Sequence, residues 1–150
     1  MVTLIWEEDK KLIPGSLRNA RWYAKVAQLV EGEIPERHRF DITIIFVSDD
    51  RIAELNQRYR GMAKKTDILS FYYDPEEDTG RGEGELYISV ATMLRQARRY
   101  RTSVEKEMAR LVVHGTLHLF GYDHMKTKER VVMRGFEKKI MAMAKKNLLI

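Results

Sequence analysis

Apolar residues recur along this chain with two periods, one near two residues and one near 3.6, and each predicts a different kind of element. Residues 2–6 read as a short strand. After Pro14 and Gly15, Leu17, Ala20, Ala24, Ala27 and Val30 fall near helical spacing, which predicts a helix over 16–30 capped by Ser16. Gly32 and Pro35 interrupt that pattern, and the β-branched run at 41–47 suits an interior strand. Ser48 then caps a second helix, with Asp49 and Asp50 in its first turn where the dipole favours negative charge. Ile52, Leu55 and Tyr59 carry that helix towards Gly61.

Two more strand-like runs follow, at 67–73 and 85–90. The polar stretch between them, 74–84, holds Pro75, three glycines and several acids, and reads as a hairpin connection within one domain. Residues 91–100 predict a helix with a basic face (Arg95, Arg98, Arg99). Thr102, Ser103, Val104 and Glu105 match a capping box opening a further helix, whose Val104, Met108, Leu111, Val112 and Leu119 supply core contacts. A last helix over 128–146 places Val132, Met133, Phe136, Ile140 and Met143 on one face. The order of elements predicts an α+β fold, a small mixed sheet of about four strands packed with four to five helices, in a single domain over 1–150.

Composition narrows the chemistry. The chain contains no cysteine, which excludes disulfides, thiolate metal ligands and cysteine nucleophiles, so any metal is held by nitrogen and oxygen. No apolar run reaches the length of a membrane span, and the N-terminal residues lack the basic-then-apolar order of a signal peptide. The expected location is the cytoplasm, with no membrane partner. A net charge of +5 favours a polyanionic partner.

Three of the four histidines lie within eleven residues, at 114, 118 and 124. On a helix, His114 and His118 share one face, about a turn apart. Gly121 can end that helix in a left-handed turn and bring His124 back to the same point. Three neutral nitrogens with an open fourth position is the arrangement of catalytic zinc. This spacing also matches metzincin peptidases, but those place a glutamate directly after the first histidine as general base, and here that residue is Gly115. A peptidase lacking that base forgoes roughly 10²–10⁴-fold in rate. The glycine itself costs a helix about 1 kcal/mol relative to alanine, and close approach by a neighbouring element or by substrate would account for it.

The stretch His114-Gly115-Thr116-Leu117-His118-Leu119-Phe120-Gly121-Tyr122-Asp123-His124 resembles the signature of the YbeY family of bacterial endoribonucleases. A second block agrees with it: Leu55-Asn56-Gln57-Arg58-Tyr59-Arg60, followed by Thr66-Asp67-Ile68-Leu69-Ser70-Phe71. The resemblance runs in weaker form from about residue 40 to 140. Departures fall at Met62-Ala63, Lys65 and Glu85, where the family usually has Lys-Asp, Pro and Asp. The resemblance implies a zincin-like fold whose ligand helix carries HxxxHxxGxxH. It also implies one zinc ion per chain on His114, His118 and His124, a catalytic role for His114 and Arg60, and single-strand-specific RNA cleavage. The implied setting is ribosomal RNA maturation and ribosome quality control, with ribosomal RNA and the small ribosomal subunit as partners. Arg60 suits the assignment chemically, because a planar guanidinium grips phosphate oxygens in pairs.

The general base stays open at this level. Asp123 abuts a ligand and suits a residue that orients a histidine, Glu85 is a weaker candidate, and attack by the ribose 2′-hydroxyl would need no water-activating base. Two alternatives to the nuclease remain: a ribosome-associated maturation factor with a mainly structural metal, and a metallopeptidase.

Overall fold

The computed structural model describes residues 1–73, 80–123 and 127–150. Its elements run β1 (Val2–Trp6), α1 (Ala20–Glu33), β2 (Arg39–Val47), α2 (Asp49–Arg60), β3 (Ile68–Tyr73), β4 (Arg81–Ser89), α3 (Val90–Arg99), α4 (Val104–Leu119) and α5 (Thr127–Lys146). The four strands form one sheet in the order β1-β2-β4-β3. β1, β2 and β4 are parallel, while β3 pairs antiparallel with β4 and lies at the edge. The expected α+β fold with a mixed four-stranded sheet is what the chain adopts, with five α-helices among the described residues. None of these helices is long and apolar enough to cross a membrane.

Strand alternation sorts the core between the two faces. Ile45, Val47 and Leu69 pack against Ile52 and Leu55 of α2. Ile42, Ile44, Phe46, Leu86 and Ile88 join the larger core, to which α1, α4 and α5 contribute. α4 is the most deeply placed helix, with Met108, Ala109, Leu111 and Leu117 fully buried.

Several details differ from the sequence expectation for local reasons. The first α-helix starts at Ala20, because Gly15–Arg18 form a 3-10 turn and Asn19 takes the cap, accepting from the Arg21 amide at 2.9 Å. Leu17 O, a carbonyl that the longer helix would use, is already engaged, accepting from the Tyr23 hydroxyl at 2.7 Å. β4 begins at Arg81, earlier than the run at 85–90, because its glycines are strand residues under close neighbours. A Cβ on Gly82 would stand 2.6 Å from the Tyr73 carbonyl, and one on Gly84 2.6 Å from Leu119 Cδ1. The tip of that hairpin, 74–79, lies outside the described residues. Ser103 caps α4, accepting from Lys106 N at 3.0 Å. Finally, Val132 is 49% exposed; the inward stripe of α5 is Met133, Phe136, Ile140 and Ala144, which meets α1 and α4.

Asp49 joins the starts of α2 and α3. Its carboxylate accepts from Ser89 Oγ at 2.7 Å, Thr92 Oγ1 at 2.6 Å and the Arg95 guanidinium at 2.9 Å. Burial pushes its pKa up, but these donors together outweigh burial and hold it below the usual aspartate range. The stability so contributed is complete above the ordinary carboxylate pKa and is lost as pH falls through the depressed one. Asp49→Asn should therefore cost roughly 1–2 kcal/mol at neutral pH. In denaturant titrations repeated from pH 7 downwards, the gap to wild type should close in acid.

Candidate active site

The site is built where α4 runs under the edge strand. Ser103 caps the helix, and Glu105 and Glu107 lie in its first turn, favourable against its dipole. Further along, the helix comes so close to the sheet that a Cβ on Gly115 would stand 2.7 Å from Ile68 Cδ1 and 3.0 Å from Leu86 Cδ2. Helix–sheet packing thus explains the glycine that follows the first histidine. A side chain at 115 would start against strand residues, and the peptidase glutamate has no ready place there.

With the helix so seated, His114 and His118 approach each other as their spacing predicts, Nε2 to Nε2 at 3.0 Å. Gly121 then adopts the left-handed conformation (φ 92°), and amides of Gly121 and Tyr122 close onto His118 O and Leu117 O at 3.0 and 3.1 Å. Tyr122 anchors the turned chain. Its hydroxyl reaches the Glu36 carboxylate at 2.8 Å, and its ring meets Phe136 of α5 at 5.2 Å. Burial, and then the hydrogen bond to Glu36, push its pKa up to about 12. His124, the third proposed ligand, lies outside the described residues.

A cavity of about 340 Å³ opens beside the histidines. His114, His118 and Asp123 line it from the α4 side, and Arg60, Thr66, Asp67, Ile68, Ser70 and Tyr72 from α2, the following loop and β3. Arg60 is the last residue of α2, which Gly61 ends in a left-handed cap (φ 71°). The loop beyond is held by buried Asn56, whose side-chain amide donates to Lys64 O at 2.9 Å. Asp67 is tied to α4 and α3 by Arg110 at 3.5 Å and Gln96 at 3.3 Å. Both of those side chains also hold Glu107, which is 1% exposed: Arg110 in bidentate fashion at 2.8 Å, and Gln96 at 2.7 Å. The hydrogen bonds with Glu107 push the Arg110 pKa well up, so a buried carboxylate keeps a fixed positive partner.

Glu137 of α5 supplies an interaction that spacing alone did not reveal. Its Oε1 lies 3.1 Å from His114 Nδ1. A carboxylate only accepts, so Nδ1 carries the proton and the His114 Nε2 lone pair faces His118. Two nitrogens sharing one zinc ion at 2.0–2.1 Å stand roughly 3.3 Å apart, close to the separation observed here. The two described histidines therefore fit two corners of such a site, with the carboxylate–histidine support common around metals. Among the described residues, no group of three or more such ligands assembles.

Glu85 is excluded as a general base. It lies on the α2 face of the sheet, its carboxylate accepting from Tyr87 at 3.4 Å, while Gly84 and Leu86 face α4. Arg95 is engaged by Asp49. Sequence patterns do not single out Glu137, Asp67 or Ser70 as site residues. For Ser70 the signal was strand alternation from Ile68; for Glu137 and Asp67 no pattern pointed to the partner.

Known proteins resemble this chain over most of its length. The family model described as Endoribonuclease YbeY matches residues 5–145. The Endoribonuclease YbeY of Desulforamulus reducens is 42% identical over 141 residues, 90% of this chain and 90% of that protein. The protein of the same name from Halalkalibacterium halodurans is 37% identical over 137 residues, 85% and 80% of the two chains. A solution structure of a Thermotoga maritima protein matches with a TM-score of 0.57 at 28% identity, covering 99% of this chain and 95% of that one. The family match and these relatives define a nuclease, an enzyme that breaks phosphodiester bonds. The chain belongs to the YbeY endoribonuclease family.

The tight approach at Gly115 makes a stability prediction. Gly115→Ala adds a methyl against Ile68 and Leu86, an overpacking cost of about 1–3 kcal/mol that a helix-propensity gain of about 1 kcal/mol partly offsets. Chemical denaturation should show a net loss of roughly 1 kcal/mol.

Proposed function

We propose that this chain is a zinc-dependent endoribonuclease that cleaves single-stranded RNA in ribosomal RNA maturation and ribosome quality control. In this reading, residues 1–150 form one hydrolase domain working in the cytoplasm. His114, His118 and His124 hold one zinc ion, and Arg60 stabilises the phosphoryl transition state. The observation that supports it most is the convergence of His114, His118 and Arg60 on one cavity, from two helices, in a chain of this family. Ribosomal RNA within the small ribosomal subunit is the partner that the family and the net charge of +5 favour.

A bound zinc ion would supply a Lewis acid for a phosphoryl oxygen. The protein's own residues do the rest. Glu137 accepts the Nδ1 proton of His114 and so keeps Nε2 available as a ligand. Arg60 lies at the cavity rim, where its planar fork can take two phosphate oxygens and offset charge that builds as the bond breaks. Asp123, which also lines the cavity, is placed to orient a histidine or accept a proton. Without a glutamate after His114, the ribose 2′-hydroxyl is the nucleophile we favour. The O2′–P bond forms as the P–O5′ bond breaks, and the proton passes from O2′ to the departing O5′. The products are a 2′,3′-cyclic phosphate and a 5′-hydroxyl.

Purified protein should carry about one zinc per chain and cleave single-stranded RNA well ahead of duplex. Arg60→Ala should lower kcat by roughly 10²–10³-fold with the metal retained. His118→Ala should lose both metal and cleavage. Nuclease activity equal to wild type in both variants would show a contaminating enzyme and favour a binding factor with a structural metal. Peptide cleavage blocked by chelation would favour the peptidase.

Two finer tests address individual residues. Glu137→Ala should weaken zinc binding by roughly 10–100-fold in chelator competition. A 2′-deoxy sugar at the cut position should abolish cleavage, and cleavage at full rate would exclude the 2′-hydroxyl route.

A further inference from the structure

The cavity wall formed by β3 holds an aromatic side chain that the proposed chemistry leaves unused. Along this strand, Ile68 and Ser70 face α4, with Ser70 Oγ donating to Gly115 O at 3.4 Å. Leu69 faces α2, and Phe71 packs on Tyr59 on that side at 5.0 Å. Alternation therefore places Tyr72 on the histidine side, and it lines the cavity with His114, His118 and Arg60. It is 51% exposed. Its ring is nonetheless held in place. Phe40 meets it nearly edge-on at 6.2 Å (73°), and Phe40 in turn meets Phe120, the cap of α4, at 5.1 Å. A half-exposed ring braced against the helix that carries the histidines is an ordered aromatic surface inside the site.

We propose that Tyr72 is a stacking platform for a nucleobase beside the scissile phosphate, and the residue through which the site selects unpaired bases. The inference rests on the nuclease reading above. Arg60 and the histidines address phosphate, which every nucleotide shares, so they do not separate single strands from duplex. A base inside a duplex is already stacked on both sides and cannot lie on a protein ring, whereas an unpaired base can. The cavity, about 340 Å³, is at the small end of ligand pockets. Stacking accepts any base, so the platform gives strand selection without strong sequence preference. Neither Tyr59 nor Tyr73 lines this cavity, and Tyr73 follows Leu69 and Phe71 in the alternation.

The test is steady-state cleavage of a short single-stranded RNA. Tyr72→Ala should raise KM roughly tenfold with kcat near wild type, because stacking binds ground and transition states alike. Tyr72→Phe and Tyr72→Trp should keep a near-wild-type KM, and Tyr73→Ala should match wild type. A single abasic ribose, moved along the substrate, should raise the wild-type KM by a similar factor at one position. That substitution should add nothing further in Tyr72→Ala. A wild-type KM in Tyr72→Ala would overturn the platform and leave the nuclease intact. So would a kcat loss that phenylalanine and tryptophan fail to restore, since that marks a structural role. If the wild-type protein cleaves no RNA, the nuclease reading fails and the platform with it.

Discussion

The close seating of α4 on the sheet is the constraint from which the rest of the site follows. At Gly115 the helix lies within reach of Ile68 and Leu86, and at Gly84 the strand makes room for Leu119 in return. This pair of missing side chains sets how deep the helix sits, and hence how near His114 and His118 come to β3. A helix held a methyl group further out would carry the same histidines away from Ser70 and Tyr72. The glycine that removes a peptidase's base is thus also the residue that lets a cavity form between helix and edge strand.

Around that contact, the described functional side chains are steadied from a neighbouring element. Glu137 of α5 orients His114, Glu36 beyond α1 holds Tyr122 in the turn after α4, and Asn56 of α2 pins the loop that leads to β3. The most deeply set of these supports is the Glu107–Arg110–Gln96 group, which ties Asp67 at the cavity to α3 and α4. A carboxylate 1% exposed would be costly if unpaired. Here two guanidinium contacts and an amide satisfy it, and the result is a rigid floor under the start of β3.

Much of this architecture was readable from spacing. Apolar periodicity located the strands and helices, the Ser48 cap and the Gly61 stop bounded α2 correctly, and the histidine spacing put His114 and His118 on one face. The errors share a cause, which is that sequence patterns describe a residue's own segment and not what lies across from it. Gly82 and Gly84 read as loop residues because their strand character depends on the Tyr73 carbonyl and Leu119. Val132 read as core because helical spacing alone does not say which stripe of α5 meets α1 and α4. Glu137 lies 23 residues from His114, and no periodicity links a carboxylate on one helix to an imidazole on another. Glu85 and Asp67 both looked like acids near strands; only the sheet's two faces separate them.

The elements that line and support the cavity are far apart in the chain, from Arg60 at the end of α2 to Glu137 on α5. During synthesis, Arg60 and β3 leave the ribosome well before α4, and α4 before the carboxylate that orients His114. The candidate site is therefore among the last features of the fold to be completed. The positive charge arrives equally late: acidic and basic side chains nearly balance over residues 1–100, and the excess lies in 101–150, so the chain gains its attraction for polyanions only as the site is completed.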